Sequence, residues 1–118
     1  MSKFKIDNIE RVELMENKCG VRLDALYAEY SIYDDDPDQY ITVYGEIHAI
    51  EGASVSDDFK IVFTVHNSDG KVIAKNDYET FNANDFIGLL PFEASILFEL
   101  NEGSKPVKIK IYPTKYTP

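Results

Sequence analysis

The 118-residue sequence has no tryptophan, a single cysteine and only two histidines. The few cysteines and histidines limit the catalytic and metal sites that the chain can form. Cys19 has no second cysteine to pair with, and with Lys18 and Gly20 beside it we expect an inert thiol in a loop. A Cys-x-x-Cys pair, a glycine-rich phosphate loop and a nucleophile elbow are all missing. The sequence therefore predicts a protein that is not an enzyme and has no cofactor, apart from the calcium considered below.

Long apolar runs are also missing from the sequence. No stretch approaches the length of a transmembrane helix. Residues 1–7 carry charge at Lys3, Lys5 and Asp7 and have no apolar h-region, so they do not read as a signal peptide. These absences predict no membrane insertion and a chain that is cytoplasmic by default.

Positive charge is scarce, because 21 acidic residues face 12 basic ones and the formal net charge is −9. This charge repels phosphate backbones and anionic lipids, which excludes nucleic acid as a partner class. The distribution is uneven, since residues 104–118 hold no acid and four lysines, Lys105, Lys108, Lys110 and Lys115. We interpret this lysine-rich strand as a solvated face or a protected sheet edge.

Alternation of apolar and polar residues with a period of two is the strongest structural signal. It predicts strands over residues 40–50 and 59–66, which we treat as an antiparallel hairpin, and over residues 96–100 and 107–112, which we expect to pair as a hairpin. The inward-facing positions of these strands give the predicted core: Ile41, Val43, Ile47, Phe59, Ile61, Phe63, Val65, Ile96, Phe98, Val107, Ile109 and Ile111.

Other segments complete the expected architecture. Asp69-Gly70 predicts a tight turn into a return strand over residues 72–81. Residues 23–33 fit both a helical stripe and a strand, and their aromatic content favours a strand. One early strand and a loop over residues 82–91, with one helical turn, fill the remainder. We predict a single domain over residues 1–118, an all-β, antiparallel, immunoglobulin-like sandwich of about 6–8 strands.

Three segments carry a resemblance to a known family. They are residues 43–47 (Val-Tyr-Gly-Glu-Ile), residues 61–73, which run through the Asp-Gly turn, and residues 90–92 (Leu-Pro-Phe). Over residues 41–112 the chain resembles the bacterial FxLYD domains, and more distantly the LEA14-like desiccation-related sandwiches. It departs from the family at residues 65–67, where Val-His-Asn stands in place of Leu-Tyr-Asp. The resemblance implies a small immunoglobulin-like sandwich with a non-enzymatic role.

Alternating aspartates form the sharpest local pattern. Asp34, Asp36 and Asp38 are spaced like the oxygen ligands of a calcium loop, although the glycine and bidentate glutamate of an EF-hand are missing. A looser calcium site stays open, in which the turn at 67–70 adds Asn67 and Asp69. The alternative is a solvated acidic turn.

The two histidines do not form a metal site in the expected fold. His48 and His66 both occupy outward-facing strand positions. In the expected hairpin their rings lie about 15 Å apart, too far to share a zinc ion whose ligands lie about 2 Å from it. We interpret both as surface residues.

Aromatic residues with polar tips mark a candidate binding face. Tyr40, Tyr44 and His48 share the outward face of one strand, and Tyr27 and Tyr33 can join them from its neighbour. The alternative is that the N-terminal segment or an edge of the second sheet covers this face. The sequence therefore predicts an interaction or structural module that binds another protein or itself through this face. The alternative function is a calcium-dependent ligand-binding sandwich that uses the aspartates at 34–38.

Overall fold

In the computed structural model, residues 2–32, 38–52, 55, 57–99 and 105–115 are described, and they form two packed four-stranded sheets around a core. The elements are β1 (Ser2–Ile6), β2 (Asn8–Arg11), α1 (Glu13–Cys19), β3 (Val21–Ile32), β4 (Asp38–Ala49), β5 (Phe59–His66), β6 (Val72–Phe81), a 3₁₀ turn (Ala83–Asp85), β7 (Leu89–Glu99) and β8 (Lys108–Lys115). The predicted all-β sandwich is confirmed. The only described helices are α1 and the short 3₁₀ turn, and neither is long and apolar enough to cross a membrane.

The strand order explains how the chain divides between the layers. The first sheet has the order β1-β3-β4-β7 and is antiparallel, whereas the second has the order β2-β8-β5-β6. The prediction of antiparallel pairing throughout is wrong for β2 and β8, which pair in parallel. Only Asp7 separates β1 from β2, so the chain changes sheets at that residue and β2 runs along the outer side of β8.

The inward faces of the two sheets supply the core, much as alternation predicts. Nine of the twelve predicted core residues have no exposed surface. Ile96 is half-buried, and the side chain of Phe98 lies outside the described set. Val107 is wrong as a core residue, because it precedes β8 and is 39% exposed.

The two hairpins expected from neighbouring segments are wrong. β4 pairs with β3 and β7 in the first sheet, whereas β5 pairs with β6 and β8 in the second. The segment after β4 therefore crosses between sheets instead of turning back. β7 likewise pairs with β4 and not with β8.

The turn between β5 and β6 is formed as predicted. Gly70 has φ +81, a left-handed conformation that glycine adopts without strain. The side-chain Oδ1 of Asn67 accepts hydrogen bonds from the backbone N–H groups of Asp69 and Lys71, each at 3.0 Å. Asn67 is buried, and its amide oxygen holds the turn closed.

The lysine-rich strand is not a sheet edge. β8 lies between β2 and β5, so the interpretation of residues 107–112 as a protected edge is wrong. The alternative interpretation, a solvated face, fits Lys108 and Lys110, which are both partly exposed and form ion pairs with Glu10 on β2.

The N-terminal region departs most from expectation. In place of one early strand there are two, followed by α1, which ends at Gly20 in the left-handed conformation (φ +73). Cys19 is the last helical residue and is buried, so its assignment to a loop is wrong. Residues 23–33 were ambiguous, and the preferred strand is confirmed up to Ile32 by β3.

The loop expected over residues 82–91 is shorter than predicted. Its helical turn is confirmed as the 3₁₀ turn, whose first N–H, that of Ala83, donates to Asp58 Oδ1 at 2.8 Å. Pro91, which the expected loop included, lies inside β7. A proline is tolerated there because β7 is an edge strand of its sheet.

Candidate functional site

A β-bulge in β3 determines where Tyr27 lies. The pairing between β3 and β4 slips between Asp24 and Tyr27, so Ala25 and Leu26 together face Gly45. Ala25 has φ +52, and its N–H donates to Asp24 Oδ1 at 2.9 Å. The extra residue reverses the alternation, so that Tyr27 joins Asp24 on the outer face of the sheet while Leu23 stays inside.

Directly after the bulge, Tyr27 of β3 pairs with Tyr44 of β4. The two rings lie side by side with their centroids 6.1 Å apart, and Tyr27 is 38% exposed. Lys5 of β1 places its ammonium 5.5 Å from the Tyr27 ring centroid, a cation–π contact. We call this part of the outer surface of the first sheet, centred on Tyr27 and Tyr44, the tyrosine face.

The hydroxyl of Tyr44 stays protonated. Partial burial, followed by the negative charges of Glu29 and Glu93, raises the pKa of this phenol above its usual value. At physiological pH the tyrosine face therefore presents a neutral hydrogen-bond donor beside an aromatic surface.

The predicted binding residues are spread along β4 instead of being clustered. Tyr40 and His48 lie four residues to either side of Tyr44, about 13 Å away in each direction, and all three share one face. His48 is bound to Glu46 at 3.1 Å. Of the tyrosines expected from the neighbouring strand, Tyr27 joins this face, and Tyr33 lies outside the described residues.

Charges on the outer surface of the first sheet are nearly balanced. The described side chains include three basic residues (Lys3, Lys5 and Arg22) and four acidic ones (Asp24, Glu29, Glu46 and Glu93). Several of them pair within the face, such as Lys3 with Glu29 at 3.9 Å and Arg22 with Asp24 at 3.5 Å. The seven described side chains therefore carry a net charge of about −1, on a chain with a net charge of −9.

The structure describes the side chains of only two of the five expected calcium ligands, Asn67 and Asp69. Asp34 and Asp36 lie outside the described residues, as does the side chain of Asp38. Asp69 is exposed at the turn, and the Asn67 oxygen is engaged by two backbone N–H groups. Within the described ranges, no three histidine, cysteine, aspartate or glutamate side chains converge on one point. The calcium site stays a prediction.

The histidines lie on opposite sides of the sandwich. The estimate of 15 Å assumed that β4 and β5 pair with each other. This assumption is wrong, because the two strands belong to different sheets. Stacked sheets lie about 10 Å apart, and both rings point away from the core, so they cannot share a metal ion. His66 Nδ1 lies 3.2 Å from the carbonyl oxygen of Gly70, which can only accept, and so the ring donates there.

A buried ion pair between Arg11 and Glu16 was not predicted. Glu16 of α1 is 2% exposed, and its carboxylate accepts hydrogen bonds from Arg11 Nε at 3.1 Å and Nη2 at 2.8 Å. The backbone N–H of Leu23 donates to the same carboxylate at 3.2 Å. This hydrogen bonding raises the pKa of the Arg11 guanidinium, which stays charged. The pair ties α1 to β2 and β3.

An open cleft of about 480 Å³ lies beside this ion pair, and its lining includes Arg11, Arg22 and His48. Each of these side chains already has an acidic partner, namely Glu16, Asp24 and Glu46 respectively. These three side chains of the cleft are therefore already engaged by neighbouring carboxylates. Glu16 lies in the middle of α1, a helix of seven residues that alternation does not predict, which is why the pair escaped prediction.

Comparisons of the chain with protein-family models, with curated proteins and with solved structures give no match. The candidate site is therefore defined by its own geometry, which is a pair of tyrosines next to a bulge, on a sheet face whose described charges nearly balance.

Proposed function

We propose that the protein is a non-enzymatic interaction module whose tyrosine face binds a second copy of the same chain. The observation that carries the proposal is the contact between Tyr27 and Tyr44, which places two amphipathic rings 6.1 Å apart on an outer sheet surface. Tyrosine is enriched at protein interfaces because its ring supplies apolar contact and its hydroxyl a hydrogen bond.

Charge supports a second copy as the occupant. In a two-fold symmetric contact each face meets its own copy, so a face with strong net charge would repel itself. The outer surface of the first sheet is nearly neutral among its described side chains, unlike the whole chain at −9. Self-repulsion among these described side chains is therefore small, which favours self-association.

The size of the face is also suitable. β3 and β4 are each 12 residues long, and β7 has 11. At about 3.3 Å per residue and 4.8 Å between strands, the sheet covers roughly 600 Å² of plane. Stable interfaces bury about 800 Å² of accessible surface per partner, which a corrugated face of this extent provides. Leu89, which is 49% exposed beside His48, adds apolar surface at one end.

Sedimentation velocity over a range of concentrations tests the proposal. We expect a dimer for the unmodified chain and a monomer for the double variant Tyr27→Ser/Tyr44→Ser, because tyrosine is enriched among the hot-spot residues whose truncation costs about 2 kcal/mol or more. Tyr112→Ser is the matched control, since Tyr112 is a partly buried tyrosine on a strand of the second sheet. It should remain dimeric.

Two results would contradict the proposal. A monomeric unmodified chain at the highest concentrations would exclude self-association. A dimer that survives in Tyr27→Ser/Tyr44→Ser, with circular dichroism unchanged, would place the contact elsewhere.

A further inference from the structure

Three lysines on the outer face of the second sheet form what we call the basic patch: Lys75, Lys108 and Lys110. Thr64 of β5 pairs with Lys110 on one side and with Lys75 on the other. The two lysines therefore lie about 10 Å apart across β5, and Lys108 lies about 7 Å from Lys110 along β8. A sequence pattern shows Lys108 and Lys110 on one face, but only the strand order brings Lys75 beside them.

One carboxylate serves two of these lysines. Lys108 Nζ lies 3.4 Å from Oε1 of Glu10, and Lys110 Nζ lies 3.3 Å from Oε2. Each ammonium has three N–H donors and uses one here, so donors remain for a second anion. Lys75 is exposed and forms no ion pair with any described residue. The patch thus keeps positive charge in excess of its single described acid.

Glu10 competes with any bound anion for Lys108 and Lys110. Hydrogen bonds from Lys110 and Lys108 lower the pKa of the Glu10 carboxyl, which keeps it ionised well into the acidic range. A ligand carboxylate that binds the patch must share the lysines with Glu10 or displace it.

Hydrogen bonds fix the side chains at the floor of the patch. His66 Nε2 lies 2.8 Å from Thr64 Oγ1, and its Nδ1 donates to the Gly70 carbonyl. Both side chains are partly exposed between the lysines. They offer polar contacts without adding negative charge.

We propose that the basic patch binds a short acidic segment of a partner protein. On an extended segment, alternate side chains lie about 7 Å apart, which matches the spacing of Lys108 and Lys110 along β8. Charge complementarity is the basis of the proposal, since the patch is a positive island on a chain of net charge −9.

The small size of the island favours a short segment over a larger polyanion. The patch measures about 7 by 10 Å, close to the Debye length of about 8 Å at physiological ionic strength. A duplex or an anionic membrane extends beyond it and is repelled by the net charge of −9 on the whole chain. A peptide with two or three carboxylates fits within the patch.

This inference goes beyond the proposed function, because it concerns the opposite side of the sandwich. The tyrosine face belongs to the first sheet and the basic patch to the second. Loss of one activity therefore leaves the other intact.

Fluorescence anisotropy with a labelled peptide of about five residues, in which three glutamates alternate with two threonines, tests the proposal. We expect Lys108→Gln/Lys110→Gln to weaken binding about tenfold, as two partly exposed ion pairs are lost. Glu10→Gln should strengthen binding about threefold, because it removes the competing carboxylate without removing a lysine. Binding should fall as salt rises.

Lys18→Gln/Lys115→Gln is the matched control, since it removes two positive charges outside the patch. It should bind the peptide like the unmodified chain, and circular dichroism should show every variant folded. The proposal is overturned if the peptide does not bind at low salt, or if the control weakens binding as much as the patch variant. Glu10→Gln binding no tighter than the unmodified chain would also overturn it, as would an oligonucleotide or anionic vesicle that binds more tightly than the peptide.

Discussion

Replacing Arg11 with methionine should leave the buried carboxylate of Glu16 without its ion-pair partner. The carboxylate of Glu16 is 2% exposed and takes two of its three hydrogen bonds from Arg11. Removing one partner of a buried ion pair costs about 3–5 kcal/mol, because the other charge is left without compensation. The Arg11 side chain is 35% exposed, so water can partly replace it and the lower end applies. We expect a loss of about 3 kcal/mol, or about 10 °C in Tm for a domain of this size.

A second substitution separates the lost charge from lost packing. Glu16→Gln keeps an oxygen for the Leu23 N–H and removes the charge. The double variant Arg11→Met/Glu16→Gln should therefore be more stable than Arg11→Met alone, by at least about 1 kcal/mol. Urea unfolding followed by circular dichroism measures all three variants and the unmodified chain. The reasoning fails if Arg11→Met costs less than about 1 kcal/mol, or if it costs the same with glutamine at position 16.

Three further predictions concern the core, the cysteine and calcium. Gly45→Ala should cost about 1–3 kcal/mol in urea unfolding, since an added Cβ would lie 2.7 Å from Leu26 Cδ2 and 2.8 Å from a Phe92 ring carbon; an unchanged midpoint would contradict this packing. Cys19 should react with iodoacetamide much more slowly in the folded than in the urea-unfolded chain, because burial raises its pKa; equal rates would show the thiol to be accessible. If the aspartates at 34–38 bind calcium, millimolar calcium should raise Tm and Asp36→Asn should remove the rise, whereas an unmoved melt would end that hypothesis.

Alternation predicted which side of each sheet a residue faces, but not which strands are neighbours. Along β4 and β5 every predicted core residue is fully buried. The prediction succeeds there because alternate residues of a strand point to the same face, and apolar residues at those positions indicate the buried face. Pairing depends on where the chain goes after a strand ends. The β5–β6 hairpin was predictable, since the Asp69-Gly70 turn is itself a local signal. The crossing after β4 has no comparable local signal.

The ambiguity of residues 23–33 has a structural cause. A helical stripe through Leu23, Leu26, Tyr27 and Tyr30 and a strand pattern compete because the bulge inserts one residue and shifts the alternation. The bulge also made the candidate site difficult to predict. Tyr44 was predicted from its own strand, but its contact with Tyr27 depends on the bulge. The basic patch depends on the order β8-β5-β6, which local patterns do not contain.

The parallel pairing of β2 with β8 has a consequence for how the protein is made. Glu10 and Lys108 are 98 residues apart in sequence yet form an ion pair across neighbouring strands. At about 5–20 residues per second, translation leaves roughly 5–20 s between the synthesis of these two positions. From the synthesis of β5 until the end of that interval, β5 lacks its neighbour β8 and the core lacks Ile109 and Ile111. The second sheet therefore closes only after its last strand has been synthesised, and until then the nascent chain exposes one edge of β5 to other strands.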